Sequence, residues 1–499
     1  MTTKTEITKS KPVVLKCISD VRRYFYRNER PIFFVSATNF NLIGIDEWVR
    51  GFRYINYVDC FDSQHPNVFV PNEIPHQPFT SIEDINNYLL EHKEVIDYIG
   101  AQRRDGEKPW IVFLFFDETT EAICKELDIE VCFPSAQLRT SVDDKLSTTR
   151  IGDRAGIPSV PNVLAKVSSW EELQKVSEPL GNELVIQTAF GDSGHTTFFV
   201  SSEEEFNKYA SEITAAEAVK VMKKIRCRGA AMEACVTRHG TICGPLMTEL
   251  VGFPELTPYR GGWCGNEVIP DSFSQDIRDE ARSMTVAFGE ELRKLGYRGY
   301  FELDFLRDLD TDKLYLGELN PRITGASAMT NLAAFAHADV PLFLFHLLEF
   351  SDVEFDLDIP DINKRWADPD YIDSWGQLVM KYTADEVRLV TSAPPSGVYR
   401  MQPDGSVIFV RVQTHRRTVE REDEAFFLRI TKAGDYFYEG ADLGILITPG
   451  RLMTDEFELT DRAKAWITGI RQIYESVIPG ANDAPQPAQI AEAGNFKML

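Results

Sequence analysis

The stretch YLGELNPRITGASAM, Tyr315–Met329, begins as an apolar strand. It then sets a carboxylate, an amide and a guanidinium at alternate positions: Glu318, Asn320 and Arg322. Residues two apart along a strand share one face, so these three groups point the same way. A core strand would put apolar side chains there. A merely solvated face would not need three different chemistries.

The segment before it completes a β-hairpin. YFELDFLRDLDTDKLYLGELN reads as two strands joined by a polar turn around Asp308–Asp312. With the turn centred on Asp310, Asp304 lies opposite Leu316 and near Glu318, and Glu302 lies directly opposite Glu318. Like charges so placed destabilise a sheet unless something positive stands between them. Mg²⁺ suits that place, because it takes hard oxygen ligands from one or two carboxylates, an amide and substrate phosphates. Arg322 can then hold an anion through two parallel hydrogen bonds. Asp308, Asp310 and Asp312 have the spacing that opens a calcium loop. Lys313 stands where that loop needs glycine and Leu319 where it needs glutamate, so the segment is a turn.

The whole chain bounds the partners. Its 499 residues predict about three domains, and 43% hydrophobic with 26% charged residues is an ordinary globular balance. Lys and Arg number 53 against 77 Asp and Glu, a net charge of −24. Such a chain repels nucleic-acid backbones and anionic membranes globally, which leaves small molecules as the expected partners. The N-terminus has no apolar run resembling a secretory leader. The longest apolar run, WIVFLFF at Trp110–Phe116, is strand-length and far short of a membrane span. Eight cysteines form no CxxC pair. Cys227, Cys235 and Cys243 recur every eight residues, and the favoured reading is three small apolar residues in a β-rich region. The expected compartment is the reducing cytoplasm.

Texture changes along the chain predict an α/β N-terminal domain over 1–135, a second domain over 136–350, a β-rich third over 351–480 and a disordered tail over 481–499. RPIFFVSA, YINYVDC and WIVFLFF read as buried strands separated by helices such as IEDINNYLLEHKEVIDYI. There is no GxGxxG and no GxxxxGK[ST]. In LVIQTAFGDSGHTTFFV, Leu184–Val200, Gly191 and Gly194 make either a phosphate cradle or a bare hairpin turn. Lys145, on a helix before this loop, means nothing by itself.

Taken in order, these pieces resemble the ATP-grasp superfamily over roughly residues 30–345. DDKLSTTRIGDRAGIPSVPN looks like the segment with a first nucleotide lysine, Lys145. VIQTAFGDSGHTT is similar to the strand and flexible loop that closes over the triphosphate, with Gly191, Ser193, Gly194 and His195. AAMEACV looks like the hinge that reads adenine, placing Glu233 to Val236 there. GYFELDF with YLGELNPR is the nearest match. In relatives such as D-alanine–D-alanine ligase and biotin carboxylase, the carboxylate five residues after the equivalent of Gly299 is a magnesium ligand. That selects Asp304 over Glu302, with Glu318 and Asn320 completing the set and Arg322 steadying phosphate or substrate anions. The small residues TGASAM then open a helix whose N-terminus can face an anion.

The implied architecture is α/β and α+β: a Rossmann-like pre-ATP-grasp domain, an ATP-grasp domain and a β-rich C-terminal domain. The implied cofactors are ATP and Mg²⁺, or Mn²⁺ in its place. One departure stands out. The strand before the glycine loop usually carries a second lysine against the phosphates, and here that position is Gln187. His195 is read equally as a substitute cation and as an ordinary loop histidine.

Superfamily members generally phosphorylate a carboxylate and let an amine attack the acyl phosphate, so the expected activity is a carboxylate–amine ligase. LVGFPELTPYRGGWCGNEVIP, Leu250–Pro270, is the expected acceptor pocket, with Arg260 as anion clamp, Trp263 as apolar wall and Glu267 as ammonium partner. Alternatives are a biotin carboxylase-like carboxylation and a non-catalytic nucleotide-binding regulator, the latter suggested by Gln187. LVMKYT around Lys381 lacks the flanks of a biotinyl-lysine site. Many superfamily members are dimers, which makes a homodimer the expected assembly.

Overall fold

The computed structural model describes residues 14–72, 79–189, 197–332 and 339–480. Near the N-terminus, Ile32–Ser36 runs parallel to Phe52–Asn56 on one side and Trp110–Phe113 on the other. Val68–Phe69 and Glu130–Val131 close the edges of this five-stranded sheet. Ile32–Ser36 is buried at every residue, as a parallel strand covered on both faces must be. The segment expected to be helical around residues 82–99 is two helices, Ile82–Glu91 and Lys93–Gln102. His92 adopts an extended conformation between them, and its Nδ1 accepts from the Glu94 N–H to start the second.

A four-stranded antiparallel sheet follows. Its order is Asn162–Ala165, Val219–Lys223, Leu184–Thr188, Thr197–Val200. The chain then enters a ten-stranded sheet. From one edge it runs Leu314–Asn320, Gly299–Asp308, Cys227–Thr237, Gly240–Val251 and Trp263–Val268. It continues with Trp375–Lys381, Asp442–Pro449, Glu424–Arg429, Gly397–Met401 and Val407–Val412. The sheet runs across the domain boundary expected at 350, since Trp263–Val268 pairs with Trp375–Lys381. Helix Leu342–Phe350, LFLFHLLEF, is buried all round and packs into the core of the N-terminal sheet. A helix apolar on every side has no other place to go.

The two faces of the large sheet differ. The back face packs Ala230, Met232, Phe301 and Leu303 against helix Gln275–Lys294 through Phe288 and Ala281. On the front, Asn320 is paired with Glu302, Glu302 with Glu233, and Asp304 with Ala231. Further along, Glu249 is paired with Asn266 and Asn266 with Gln377. Directly opposed residues share a face, so one face of an otherwise apolar sheet carries a band of carboxylates and amides.

All eight cysteines are free, with Cys235 and Cys243 buried and Cys227 exposed. Lys381 is buried in an ion pair with Asp442, which does not suit a lysine that must be reached for biotinylation. Among the described residues no helix is long and apolar enough to cross a membrane.

Candidate active site

The hairpin forms where its alternation predicts, but in a different register. Glu302 is opposite Asn320, and Leu303 is opposite Leu319. The next pair is Phe305 with Leu316, so the strand after the turn has one extra residue between Leu303 and Phe305 of its partner. This β-bulge corrects the expected pairings of Glu302 with Glu318 and of Asp304 with Leu316. It sets Asp304 against Gly317 and Glu318 together, re-aiming a side chain as bulges do. Gly317 permits the approach: a Cβ there would lie 3.0 Å from the Asp304 carbonyl oxygen. The turn is closed by Asp308, whose carboxylate accepts from the Asp310 N–H and the Thr311 hydroxyl.

Behind the bulge the carboxylates are wired together. Tyr300 donates its hydroxyl to Glu233 at 2.6 Å, and Ser327 donates to the other Glu233 oxygen. The Thr324 hydroxyl lies 2.9 Å from Glu233 Oε1 and 2.7 Å from Glu302 Oε2. A hydroxyl has one proton to give, so one of these two contacts needs a protonated carboxyl as donor. Burial and the neighbouring Glu233 push Glu302 up to about 8, in keeping with a shared proton. The short helix Ser327–Thr330 thus begins against buried carboxylates. The group at its N-terminus is the protein's own Glu233.

Asp304 is different. Its Oδ2 accepts from Asn320 Nδ2 at 3.0 Å, while Oδ1 is buried with no partner. Burial, with Glu249, Glu302 and Glu318 nearby, raises its carboxyl well above the usual range. Glu318 is raised chiefly by burial, against the pull of Lys145, whose Nζ stands 3.6 Å away. Asn320 Oδ1 accepts from Arg322 at 2.7 Å, and the Arg322 guanidinium stacks 4.4 Å over the Phe115 ring with its Nε buried and unpartnered. An orphaned carboxylate oxygen among crowded acids, with an amide alongside, fits a hard divalent cation. Among the described residues no three His, Cys, Asp or Glu side chains are grouped to hold an ion alone. A cation here therefore needs substrate oxygens as well.

Lys145 is the first residue of helix Lys145–Arg154, capped by Asp144. Its N–H donates to the Ala189 carbonyl at the end of strand Leu184–Thr188, which ties the helix to the four-stranded sheet. Gln187 Nε2 donates to Thr197 Oγ1 at 3.2 Å. Gly191, Ser193, Gly194 and His195 lie outside the described residues.

Two expected assignments are corrected. Glu233 lies mid-strand and Val236 one residue from the end of Cys227–Thr237, with paired strands on both sides and Val236 in the core. Their side chains are committed and their backbone is in the ladder, so they form no hinge. The crossing from the four-stranded to the ten-stranded sheet is at residues 224–226. Glu267 falls on the back face, one residue past Asn266, where it accepts from the Leu452 and Met453 N–H groups. It anchors the C-terminal region and offers no ammonium contact at the front. Arg260 is exposed and, among the described residues, makes no ion pair. Trp263 does reach the front. Its Nε1 donates to Asn266, and its ring covers Gly325, where a Cβ would meet it at 2.2 Å.

Glu249, half-buried on the front face with its carboxyl over Gly229, escaped the sequence reading. So did buried Lys220, opposite Gln187. The one available signal was a charge inside apolar strands, VKVMK and LMTELV.

No known protein-family profile matches the chain. It is 24% identical over 234 residues to the bifunctional enzyme MurC/Ddl of Chlamydia pneumoniae, covering 44% of this chain and 29% of that one. It is also 24% identical over 249 residues to the D-alanine–D-alanine ligase of Clostridium acetobutylicum, covering 47% of this chain and 70% of the ligase. The chain thus spans under a third of the first relative's length and 70% of the second's. Among solved structures, the biotin carboxylase domain dimer of Hydrogenobacter thermophilus 2-oxoglutarate carboxylase is similar, with MgADP, ADP and bicarbonate bound. It superposes with a TM-score of 0.59 at 13% identity, covering 89% of this chain and 90% of that one.

Proposed function

The chain has the ATP-grasp fold, and from that premise we propose that it is an ATP-consuming carboxylate–amine ligase. In this reading the γ-phosphoryl group of ATP passes to a small carboxylic acid. An amine then attacks the acyl phosphate, giving an amide, ADP and phosphate. The observation that carries the reading is the convergence of Lys145, Asp304, Glu318, Asn320 and Arg322 beside the front face of the large sheet. Phosphoryl transfer asks little covalent chemistry of a protein; it asks for positioning and charge neutralisation.

Asp304 and Glu318, with Asn320 beside them, would hold Mg²⁺ or Mn²⁺, which when bound neutralises charge on the β- and γ-phosphate oxygens. Lys145 holds phosphate oxygens from the other side, where it now meets Glu318. Arg322, its Nε unpartnered, stabilises the acyl phosphate. The base lies against the crossing at 224–226. Glu249 takes the role first given to Glu267 and receives the ammonium of the amine, while Trp263 over Gly325 walls the pocket. The sequence relatives, three of which are named as D-alanine–D-alanine ligases, support an amino-acid-like acceptor.

The test is phosphate release from Mg·ATP with a panel of amino acids and small carboxylic acids, singly and in pairs. Release with one carboxylate–amine pair, plus a product of condensed mass, supports the ligase. A second reading, carboxylation, is favoured by the coverage of the biotin carboxylase domain; release dependent on bicarbonate would select it. Nucleotide binding with no release on any panel would point to a regulator.

A further inference from the structure

Gln187 leaves the four-stranded sheet without a cation where a polyanion is proposed to lie. The strand beside it restores one. In the antiparallel pairing of Val219–Lys223 with Leu184–Thr188, Lys220 is directly opposite Gln187. Opposed residues project from the same face with their Cβ atoms about 5 Å apart, and a lysine is long enough to reach past its neighbour. The row across this sheet is Leu164, Lys220, Gln187, Thr197. Lys220 is the one charged member.

Its surroundings do not account for it. Lys220 is 2% exposed, and among the described residues its ammonium makes no hydrogen bond or ion pair. Confining a lysine so closely with no ion-pair partner opposes folding. Burial lowers its pKa to about 8, and the charges it feels are Glu318, Asp153 and Lys145. Glu318 is the carboxylate that Lys145 already meets, and Lys145 opens a helix packed on both the Lys220 strand and the Glu318 strand. Lys145 and Lys220, from packed neighbouring elements, therefore lie toward the same end of the active face. One carboxylate stands against two lysines there, which leaves positive charge for a polyanionic ligand to meet.

We infer that Lys220 is a phosphate-binding residue, supplying from the neighbouring strand the cation that Gln187 lacks, for the polyphosphate of a nucleoside triphosphate. The inference rests on the ATP reading above. Lys220 also explains why a neutral residue is tolerated at 187: a second lysine there would stand about 5 Å from the first.

The experiment is calorimetric titration of the full chain with ATP, ADP and adenosine, in the native protein, in Lys220→Met and in Lys220→Met combined with Gln187→Lys. The expected result is a loss of about ten- to a hundredfold in ATP affinity for Lys220→Met, a smaller loss for ADP and none for adenosine. Its melting temperature should be no lower than the native value, because a closely confined lysine without an ion-pair partner has gone. The double variant should recover most of the ATP affinity. Unchanged ATP binding in Lys220→Met, an equal loss for adenosine, or no recovery in the double variant would each overturn the inference while leaving the ATP reading intact. A native protein that binds no ATP would overturn that reading instead, and this inference with it.

Discussion

Lys145 and Glu318 come from different parts of the fold, a helix tied to the four-stranded sheet and the edge strand of the large one, yet their charged ends stand 3.6 Å apart. The pair closes the space between the two sheets, with Lys145 nearly buried. Replacing Glu318 by Gln keeps the shape and removes the charge. Turnover should fall by about a thousandfold or more, as when a preorganised charge is lost at a phosphoryl-transfer site. Lys145→Met should instead weaken ATP binding first. Full activity in Glu318→Gln would rule out its place in the metal site, and activity unaffected by chelator would rule out the metal.

Glu249 and Gly229 offer a test of the proposed amine pocket. Glu249→Gln should raise KM for the amine by about tenfold or more and leave ATP affinity unchanged. Gly229→Ala should do the same indirectly, because its new Cβ would fall 2.3 Å from Glu249 Oε2 and displace the end of a flexible side chain. Steady-state kinetics with amine and ATP varied separately distinguish this from a general loss.

Glu267 should matter for stability. It accepts two backbone N–H groups of the Leu452–Met453 segment from within the back face. Glu267→Ala leaves those donors and the neighbouring Arg228 unmatched, at a cost of about 2–3 kcal/mol. Denaturant unfolding would read the loss. A raised KM for the amine at unchanged stability would return Glu267 to the substrate site.

His346 couples the N-terminal sheet to the large one. Its Nδ1 accepts from the Tyr300 N–H at 3.0 Å, and its Nε2 lies 2.7 Å from the Cys132 carbonyl. Neutral imidazole with the proton on Nε2 satisfies both contacts, and a second proton would confront the Tyr300 N–H. Burial accordingly lowers its pKa to about 3, from 6.5 unfolded. The unfolded chain then binds more protons between these values. His346 therefore makes stability fall as pH drops below 6.5, by at most about 1.4 kcal/mol per pH unit. His346→Phe should be less stable at pH 7 yet show a shallower decline towards pH 4. Parallel declines in denaturant midpoint would refute this.

The hairpin and its acidic face were legible because alternation is local: residues two apart share a face whatever the rest of the chain does. The parallel N-terminal sheet was legible for a similar reason, as runs like IFFVS suit only strands covered on both sides. Asp304 was separated from Glu302 by resemblance alone, and the structure supplies the cause. Glu302 spends its oxygens on Asn320 and Thr324, while Asp304 keeps one unpartnered.

What the chain by itself determined was the type of each element and the kinds of groups near the site. Which face and which neighbour each group received was decided by the tertiary structure. A bulge of one residue moved Glu318 beside Asp304. A single step in parity sent Glu267 to the back of the sheet, and an unpatterned strand pairing put Lys220 opposite Gln187. Period-two alternation fixes relative orientation within a strand. It says nothing about register between strands, which is set by packing against everything else in the fold.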